Sequence, residues 1–528
     1  MLVEIDQGAT QLESVDLDDD LDVAATTMAL LNPLILQKVL SSLDVPTLKS
    51  VRLVCTLWAD VGAAYLGKKG CLVFWTPRNR INYDALACFN PELGRNVELL
   101  FYTYKFCCFS TICTCCTHLP ANFVIILPEI SDKLETLKFV RIKAFEPLQE
   151  LWSTYQFPNL TQIWITADGD YLDKKAPPPD MAQFRPLPNL KVVFLRIPSS
   201  PRKYLSRALI SAICQNLVNA APNLEEFDLD TIFCLDLTPC RKLKRFMFQY
   251  YAWGSLESEI SGMTKMLKSC PNSLETLSWE YFGWDADAIE LNFRFPNLTH
   301  LRLTAADGFI LKDSLSVAHL PKLTHFSLLA YDTTFEHEIS AMLENYRLPH
   351  DGITSLDISV THYPEIDNED GETARKLVNF FPSVKEFKFK LGVKLVQDFD
   401  QYFASLMETL RSFGDWGLTC GDVEVEIPYF YQQHEIDGPY DHDFGSLLVI
   451  AVLGGMTGWR GLTNTTLQFT ANHRRHAEFR LLDEMLDALL SCRTIRSVTI
   501  TGFLMDEETN DNLRTFIGEH NLPISVAY

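Results

Sequence analysis

The chain switches between two hydrophobic periods. Apolar residues two apart, as in Leu301/Leu303 and Phe326/Leu328, have the spacing of one face of a β-strand. Between such pairs lie the stretches 202–221, 372–381 and 478–491, whose apolar residues fall three and four apart, as on an amphipathic helix. A further apolar residue stands three positions before each strand pair, often behind a proline, so the unit reads P-x-L-x-x-L-x-L. Proline cannot continue a helix and restrains the residue before it. Each unit is therefore a turn, a short strand with one buried face, and a segment that returns the chain.

One phrase recurs with little change: FPNLTQIWI at 157–165, LPNLKVVFL at 187–195 and FPNLTHLRL at 295–303. The skeleton repeats as Leu134/Leu137/Phe139, Leu160/Ile163/Ile165, Leu190/Val193/Leu195, Leu224/Phe227/Leu229 and Leu243/Phe246/Phe248. It goes on as Leu274/Leu277/Trp279, Leu298/Leu301/Leu303, Leu323/Phe326/Leu328, Ile353/Leu356/Ile358, Val384/Phe387/Phe389 and Ile495/Val498/Ile500. Up to Val384 the copies start 19 to 34 residues apart, around the leucine-rich-repeat period. On these residues, 125–528 resembles leucine-rich-repeat proteins of the irregular, helix-returning kind. The resemblance implies an α/β solenoid, a horseshoe with a parallel sheet on its concave side. The span 393–460 matches least well, and its acidic, aromatic stretch PYFYQQHEIDGPYDHDF reads as an insertion near 428–444.

Strand side chains alternate, so residues beside the skeleton face out of the sheet. Gln162, Trp164 and Thr166 share that face with Val192, Phe194 and Arg196, then Glu226, Asp228 and Asp230, then Arg245, Met247 and Gln249, then His300, Arg302 and Thr304. Aromatic residues, methionine and arginine are enriched at binding hot spots. Trp164, Phe194, Arg196, Asp228, Arg245, Met247 and Arg302 are thus the candidate target-binding residues. The competing reading is that a loop or the C-terminal tail covers them.

Ahead of the repeats, residues 30–66 carry a helical pattern. Asn32 and Pro33 make a helix start, a side-chain cap followed by a residue that needs no N–H in the first turn. Leu36, Val39, Leu40 and Leu43 follow, Asp44 and Pro46 restart the chain, and Leu48, Val51, Cys55 and Trp58 continue it. This stretch resembles an F-box, a pattern of L-P-x-E-I-L, then I-L, a leucine, and R-x-V-C-x-x-W. Leu31, Ile35, Leu36, Val39, Leu40, Leu43, Arg52, Val54, Cys55 and Trp58 occupy those places, while Asn32 replaces the usual proline and Leu34 the usual glutamate. The resemblance implies the substrate-recognition subunit of an SCF ubiquitin ligase. Its F-box would bind the Skp adaptor and through it a cullin, and its repeats would hold a protein target. Adaptor contacts are then expected from Leu31, Pro33, Ile35, Leu36, Val39, Leu40, Leu43, Leu48 and Trp58. Two alternatives stand beside this: a helical cap for the solenoid, and a repeat scaffold independent of the ubiquitin system. The expected organisation is an acidic disordered tail (1–27), the F-box (28–66), a connecting segment (67–124) and the repeats (125–528).

Composition narrows the partners. With 68 acidic against 46 basic residues the formal net charge is -22, which argues against nucleic acid and anionic membrane, both of which demand a basic face. No export signal or spanning apolar segment is read, so the cysteines are expected reduced and the protein cytoplasmic or nuclear. The N-x-T sequons at Asn159 and Asn297 fall inside the repeated phrase, which explains them better than glycosylation does. No catalytic constellation stands out. GAAYLGKK (62–69) lacks the last Ser/Thr of a phosphate loop, His337 and His434 lack the second histidine of a zinc-protease helix, and no nucleophile elbow occurs. Cys107, Cys108, Cys113, Cys115, Cys116 and His118 supply ligand types for zinc but not the usual paired spacing. No enzyme activity, cofactor or metal is expected.

Overall fold

The architecture is that of a computed structural model. It describes residues 28, 30–76, 89–101, 118–142, 145–167, 183–197, 207–251, 257–270, 272–282, 289–290, 294–305, 309–310, 314–330, 339, 343, 346, 348–363, 370–393, 399–427, 444–459, 464–471, 480–503 and 505–527. The expected tail at 1–27, the cysteines from Cys107 to Cys116 and the insertion up to residue 443 lie outside the described residues. The chain divides into two compact units, Met1–Ile165 and Thr166–Tyr528.

The first unit opens with three helices, α1 (Pro33–Ser42), α2 (Val45–Val51) and α3 (Thr56–Lys69). Asn32 Oδ1 accepts from the Leu34 N–H at 2.9 Å and Asp44 Oδ1 from the Thr47 N–H at 3.0 Å, so both predicted starts are side-chain caps. Leu36, Leu40 and Leu48 are fully buried and meet Leu66, with Leu43, Val51, Trp58, Val61 and Leu93 packed around them. Lys69 Nζ donates to the carbonyls of Ser41 and Leu43, both at 2.7 Å, placing a cation at the C-terminal end of α1.

These helices are not a separate unit. Asn96 Nδ2 donates to the carbonyls of Gly67, Lys68 and Gly70 at 2.9, 3.1 and 3.1 Å, closing the end of α3 onto the first strands. A side chain at Gly67 would place its Cβ 2.0 Å from the Glu92 carbonyl oxygen, so only glycine allows this approach. The strands follow in order: β1 (Leu72–Thr76), β2 (Asn96–Phe101), β3 (Thr136–Ile142) and β4 (Gln162–Ala167). β1 pairs with β2, and β2 with β3, in parallel, with α4 (Ala121–Ile130) and α5 (Glu146–Thr154) between later strands. The parallel ladder therefore begins inside the expected connecting segment 67–124. Its phrase there, PELGRNVELLF, sets Leu93 four residues before Val97 instead of three, so the skeleton missed it.

In the second unit the strands are β5 (Val192–Arg196), β6 (Glu226–Thr231), β7 (Arg245–Tyr251), β8 (Thr276–Phe282), β10 (His300–Ala305), β12 (His325–Ala330), β13 (Ser355–Tyr363), β14 (Glu386–Val393), β15 (Cys420–Ile427), β16 (Asn464–Ala471), β17 (Ser497–Thr501) and β18 (Ile524–Ala527). They lie in chain order and pair in parallel, while β9 (Ile289–Glu290) and β11 (Phe309–Ile310) form a separate parallel pair. The returning helices are α6 (Arg207–Ala220), α7 (Glu257–Ser269), α8 (Asp370–Phe380), α9 (Phe399–Phe413), α10 (Phe444–Met456), α11 (Asp483–Leu490) and α12 (Glu507–His520). Sequential parallel strands with helical returns are the order of a repeat solenoid, and every pairing among these described strands is parallel, as the expected concave sheet requires.

One register line runs through the core of this unit, from Leu195 through Leu229, Phe248, Trp279, Leu303, Leu328, Ile358, Phe389, Val423 and Leu467 to Val498. It places Val498 level with Phe389, so the last copy of the skeleton is two residues out of step with the others. β15 and β16 escaped the skeleton because Gly421 and Thr465 fill its middle position. Phe387, the register partner of Gly421, is packed by Phe413, Trp416 and Trp459 at ring distances of 4.7, 5.1 and 5.7 Å.

The recurrent phrase has a backbone reason. The carbonyl one residue before a strand accepts two N–H groups from the next unit: Glu275 from Thr299 and His300 at 2.8 and 3.1 Å, and Thr299 from Thr324 and His325, both at 3.0 Å. The asparagine of P-N-L donates to a carbonyl of the preceding turn, Asn159 to Asp132 at 2.5 Å, Asn223 to Pro188 at 2.8 Å and Asn297 to Asn272 at 2.8 Å. Each bond ties one turn to the turn before it, so the sequon asparagines Asn159 and Asn297 are parts of the repeat.

Candidate functional site

Two surfaces carry the residues singled out by the sequence. The first is on the N-terminal helices, and it divides the expected adaptor contacts. Leu36, Leu40 and Leu48 point into the helical core, and Leu43 and Trp58 are half-buried. Trp58 Nε1 donates to the Leu30 carbonyl at 3.2 Å. Leu31, Pro33, Ile35 and Val39 are exposed. The correction follows from helix geometry: residues 36 and 40 share one stripe, while 35 and 39 stand about 100° round the axis. Leu36, Leu40 and Leu48 hold the helices together and do not present themselves to a partner.

The outward set is apolar. Leu34, at the place of the usual glutamate, is 75% exposed, and Leu53 and Val54 at the end of α2 are 88% and 64% exposed. Of the sixteen large hydrophobic residues exposed among the described residues, eight lie between Met28 and Val54. An exposed apolar concentration of this kind marks an interaction surface. The sequence pattern gave no warning of Leu53, which stands beside Val54 and Cys55 in an apolar run just past α2.

The other candidates, the predicted target-binding residues, all lie on outward strand faces, Trp164 in the first unit and the rest in the second. In the first unit, Trp164 is exposed on β4, with Lys138 Nζ 5.6 Å from its ring centroid. In the second unit, the register aligns Phe194, Asp228, Met247, Ser278 and Arg302 in one row, and Arg196, Asp230, Gln249 and Glu280 in the next. Arg196 lies 5.5 Å from the Phe194 ring and pairs with Asp230 through Nε at 3.0 Å. Arg302 Nε pairs with Glu280 at 3.3 Å, Gln249 Nε2 donates to Glu280 at 2.8 Å, and Arg245 pairs with Glu226.

Charges on this face are partly desolvated. Burial, reinforced by Asp230 and Glu280 against the pull of Arg196, raises the Asp228 carboxyl to about 6. Burial also raises Asp230, against Arg196, and Asp357, against the Ser327 hydrogen bond and Lys388. His300 and His325 stack with ring centroids 4.1 Å apart, and burial followed by the neighbouring ring lowers the His300 pKa. Sequence reasoning placed Asp228, Asp230 and His300 on this face; it did not name Glu280 or His325, and it did not foresee the burial of Asp230 and Glu280, which needs the register.

Among the described residues no group of three or more His, Cys, Asp or Glu side chains is arranged to hold a metal. No helix among the described residues is long and apolar enough to cross a membrane. Buried thiols such as Cys240 and Cys492 are pushed up to about 12 by desolvation, so they sit in the core as small hydrophobes.

A scan with family models finds no match, and a search of curated proteins finds no similar sequence. Among solved structures, the chain is similar to a leucine-rich-repeat protein of Leptospira interrogans, at 11% identity and a TM-score of 0.27, covering 85% of this chain and 99% of that one.

Proposed function

We propose that this chain is a non-enzymatic substrate receptor of an SCF-type ubiquitin ligase, working in the cytoplasm or nucleus. The N-terminal helices dock on a Skp adaptor, and through it on a cullin, and the polar face of the sheet holds a protein target. The observation that carries the reading is the apolar face of Leu31, Leu34, Ile35, Val39, Leu53 and Val54, exposed beside a helical core that is complete without it. It lies in the segment whose motif resembles an F-box. Receptor function would then be proximity: binding raises the effective concentration of target lysines near a conjugating enzyme.

The test is co-purification of the full chain with Skp. Val39→Asp and Ile35→Asp put a charge where an apolar contact is proposed, and each is expected to weaken adaptor binding by about 2 kcal/mol or more. Wild-type protein that fails to retain Skp would leave the coarser reading, a repeat-based interaction scaffold independent of the ubiquitin system.

A further inference from the structure

The charges on the sheet face between β5 and β10 do not balance. Glu226, Asp230 and Glu280 have guanidinium partners in Arg245, Arg196 and Arg302. Asp228 lies in the middle of this group, and its neighbours Asp230 and Glu280 repel it. Its own strand partners across the sheet are Phe194 and Met247, neither of which donates to a carboxylate. Among the described residues Asp228 therefore forms no ion pair, and Arg196, committed to Asp230, acts on it only through space.

A second observation points the same way. Asp230 is only 4% exposed, and while Oδ2 takes Arg196, its Oδ1 is buried with no hydrogen-bond partner. Thr304, 2% exposed and two residues beyond Arg302 on the same face of β10, also has a buried hydroxyl with no partner. Buried polar groups are nearly always satisfied, and leaving one unmet is costly. Asp228 and Asp230, two residues apart on one strand, stand about 7 Å apart at the backbone. Their carboxylates can therefore converge on one planar donor fork, as a guanidinium presents. Phe194 already holds the Arg196 guanidinium near its ring, so the same row offers an aromatic flank to a second cation.

We infer that the sheet face at Asp228, Asp230 and Glu280 receives the guanidinium of an arginine-bearing peptide segment of the target. The inference rests on the reading of this face as the target site. It adds the chemical class of what binds there. Phe194 and Met247 flank the cation and take apolar parts of the same peptide.

The test uses the full chain and an array of immobilised random peptides of about twelve residues, probed at low ionic strength. The best binders are resynthesised with arginine, lysine or citrulline at the contacted position, and their affinities are measured by fluorescence anisotropy. Arginine is expected to be enriched among binders, and citrulline, which keeps the shape but loses the charge, to weaken binding about tenfold or more. In Asp228→Asn that arginine-to-citrulline ratio is expected to fall to about threefold or less. Asp483→Asn on α11, which removes one charge outside the site, is expected to keep the ratio, separating the site from general attraction by an acidic protein. Skp retention is expected to be the same in all three proteins. An unchanged ratio in Asp228→Asn, a preference for lysine, or binders without cationic enrichment would overturn the guanidinium site. Neutral binders that depend on Phe194 would keep the face as a target site, whereas the lack of any binder would remove both.

Discussion

Leu40 and Val39 are neighbours in sequence and opposites in the fold, so substituting each in turn separates packing from docking. Leu40 is fully buried and meets Leu36, Leu48 and Leu66 in the small core of the N-terminal helices. Truncating a buried leucine to alanine costs about 2–5 kcal/mol, the upper end applying where the surroundings cannot relax. Here half-buried residues such as Leu43, Val51 and Tyr65 rim the core and can partly close the space, so Leu40→Ala is expected to cost about 3 kcal/mol. Val39 is exposed, and Val39→Asp is expected to change stability by only about 0.5 kcal/mol. Hydrogen exchange suits the question because a chain of two units has no single unfolding free energy. In Leu40→Ala, amides of α1, α2 and α3 are expected to exchange about a hundredfold faster or more, the ratio that 3 kcal/mol sets. The loss should extend to β2, because Asn96 ties that strand to the end of α3. In Val39→Asp the same amides are expected to stay protected while Skp is lost. Equal protection in the two variants would refute the division of the helices into an inner and an outer face.

Asp228→Asn has a pH signature whose sign is fixed by the direction of its shift. Its carboxyl is raised from the ordinary 3.8 to about 6, so the folded state favours the protonated form. The stability this group contributes is fully present below about 4 and is lost as pH rises through 6. Discounted for solvent screening, Asp228→Asn is expected to gain on the order of 1 kcal/mol over wild type at pH 7 and nothing at pH 4, read as the difference between melting curves; a gain independent of pH would contradict it. Asn297→Ala removes the 2.8 Å bond to the Asn272 carbonyl and the 2.7 Å contact of Lys322 Nζ with Asn297 Oδ1, and is expected to cost about 1 kcal/mol. Glutamine at the same place is too long to restore the bond, so a neutral Asn297→Gln in thermal denaturation would count against the asparagine ladder.

What the sequence could show was set by which interactions are periodic. The inward line from Leu195 to Phe389 was readable because one apolar residue per unit must sit level with the next, and the chain repeats itself at that position. Gly421 and Thr465 broke the pattern without breaking the ladder, since neighbouring aromatic residues supply the volume that the skeleton position lacks. Helix starts at Asn32 and Asp44 were readable too, because a cap is a local event three residues long. The same local reading did not separate buried Leu36 and Leu40 from exposed Ile35 and Val39, because a motif names which residues matter but not which way each points. A match to a helical motif includes the residues that hold its helices together, and only burial separates these from the residues that face outward.

The unbalanced carboxylate is the feature least available to sequence reasoning. Asp228 and Asp230 read as ordinary outward residues of an acidic strand, and arginines on neighbouring strands promise each a partner. The register decides otherwise: it sets Arg196 level with Asp230 and Phe194 level with Asp228, so the guanidinium serves one carboxylate and leaves the other beside a ring. A shift of one residue in that pairing would move both aspartates to the core side, and the strand would not form. The charge imbalance is thus fixed by the same ladder that fixes the fold. A half-buried carboxylate held without an ion pair gives up stability, the kind of trade that stability and function make. That is why a substitution expected to stabilise the protein is also the one expected to cost it a ligand.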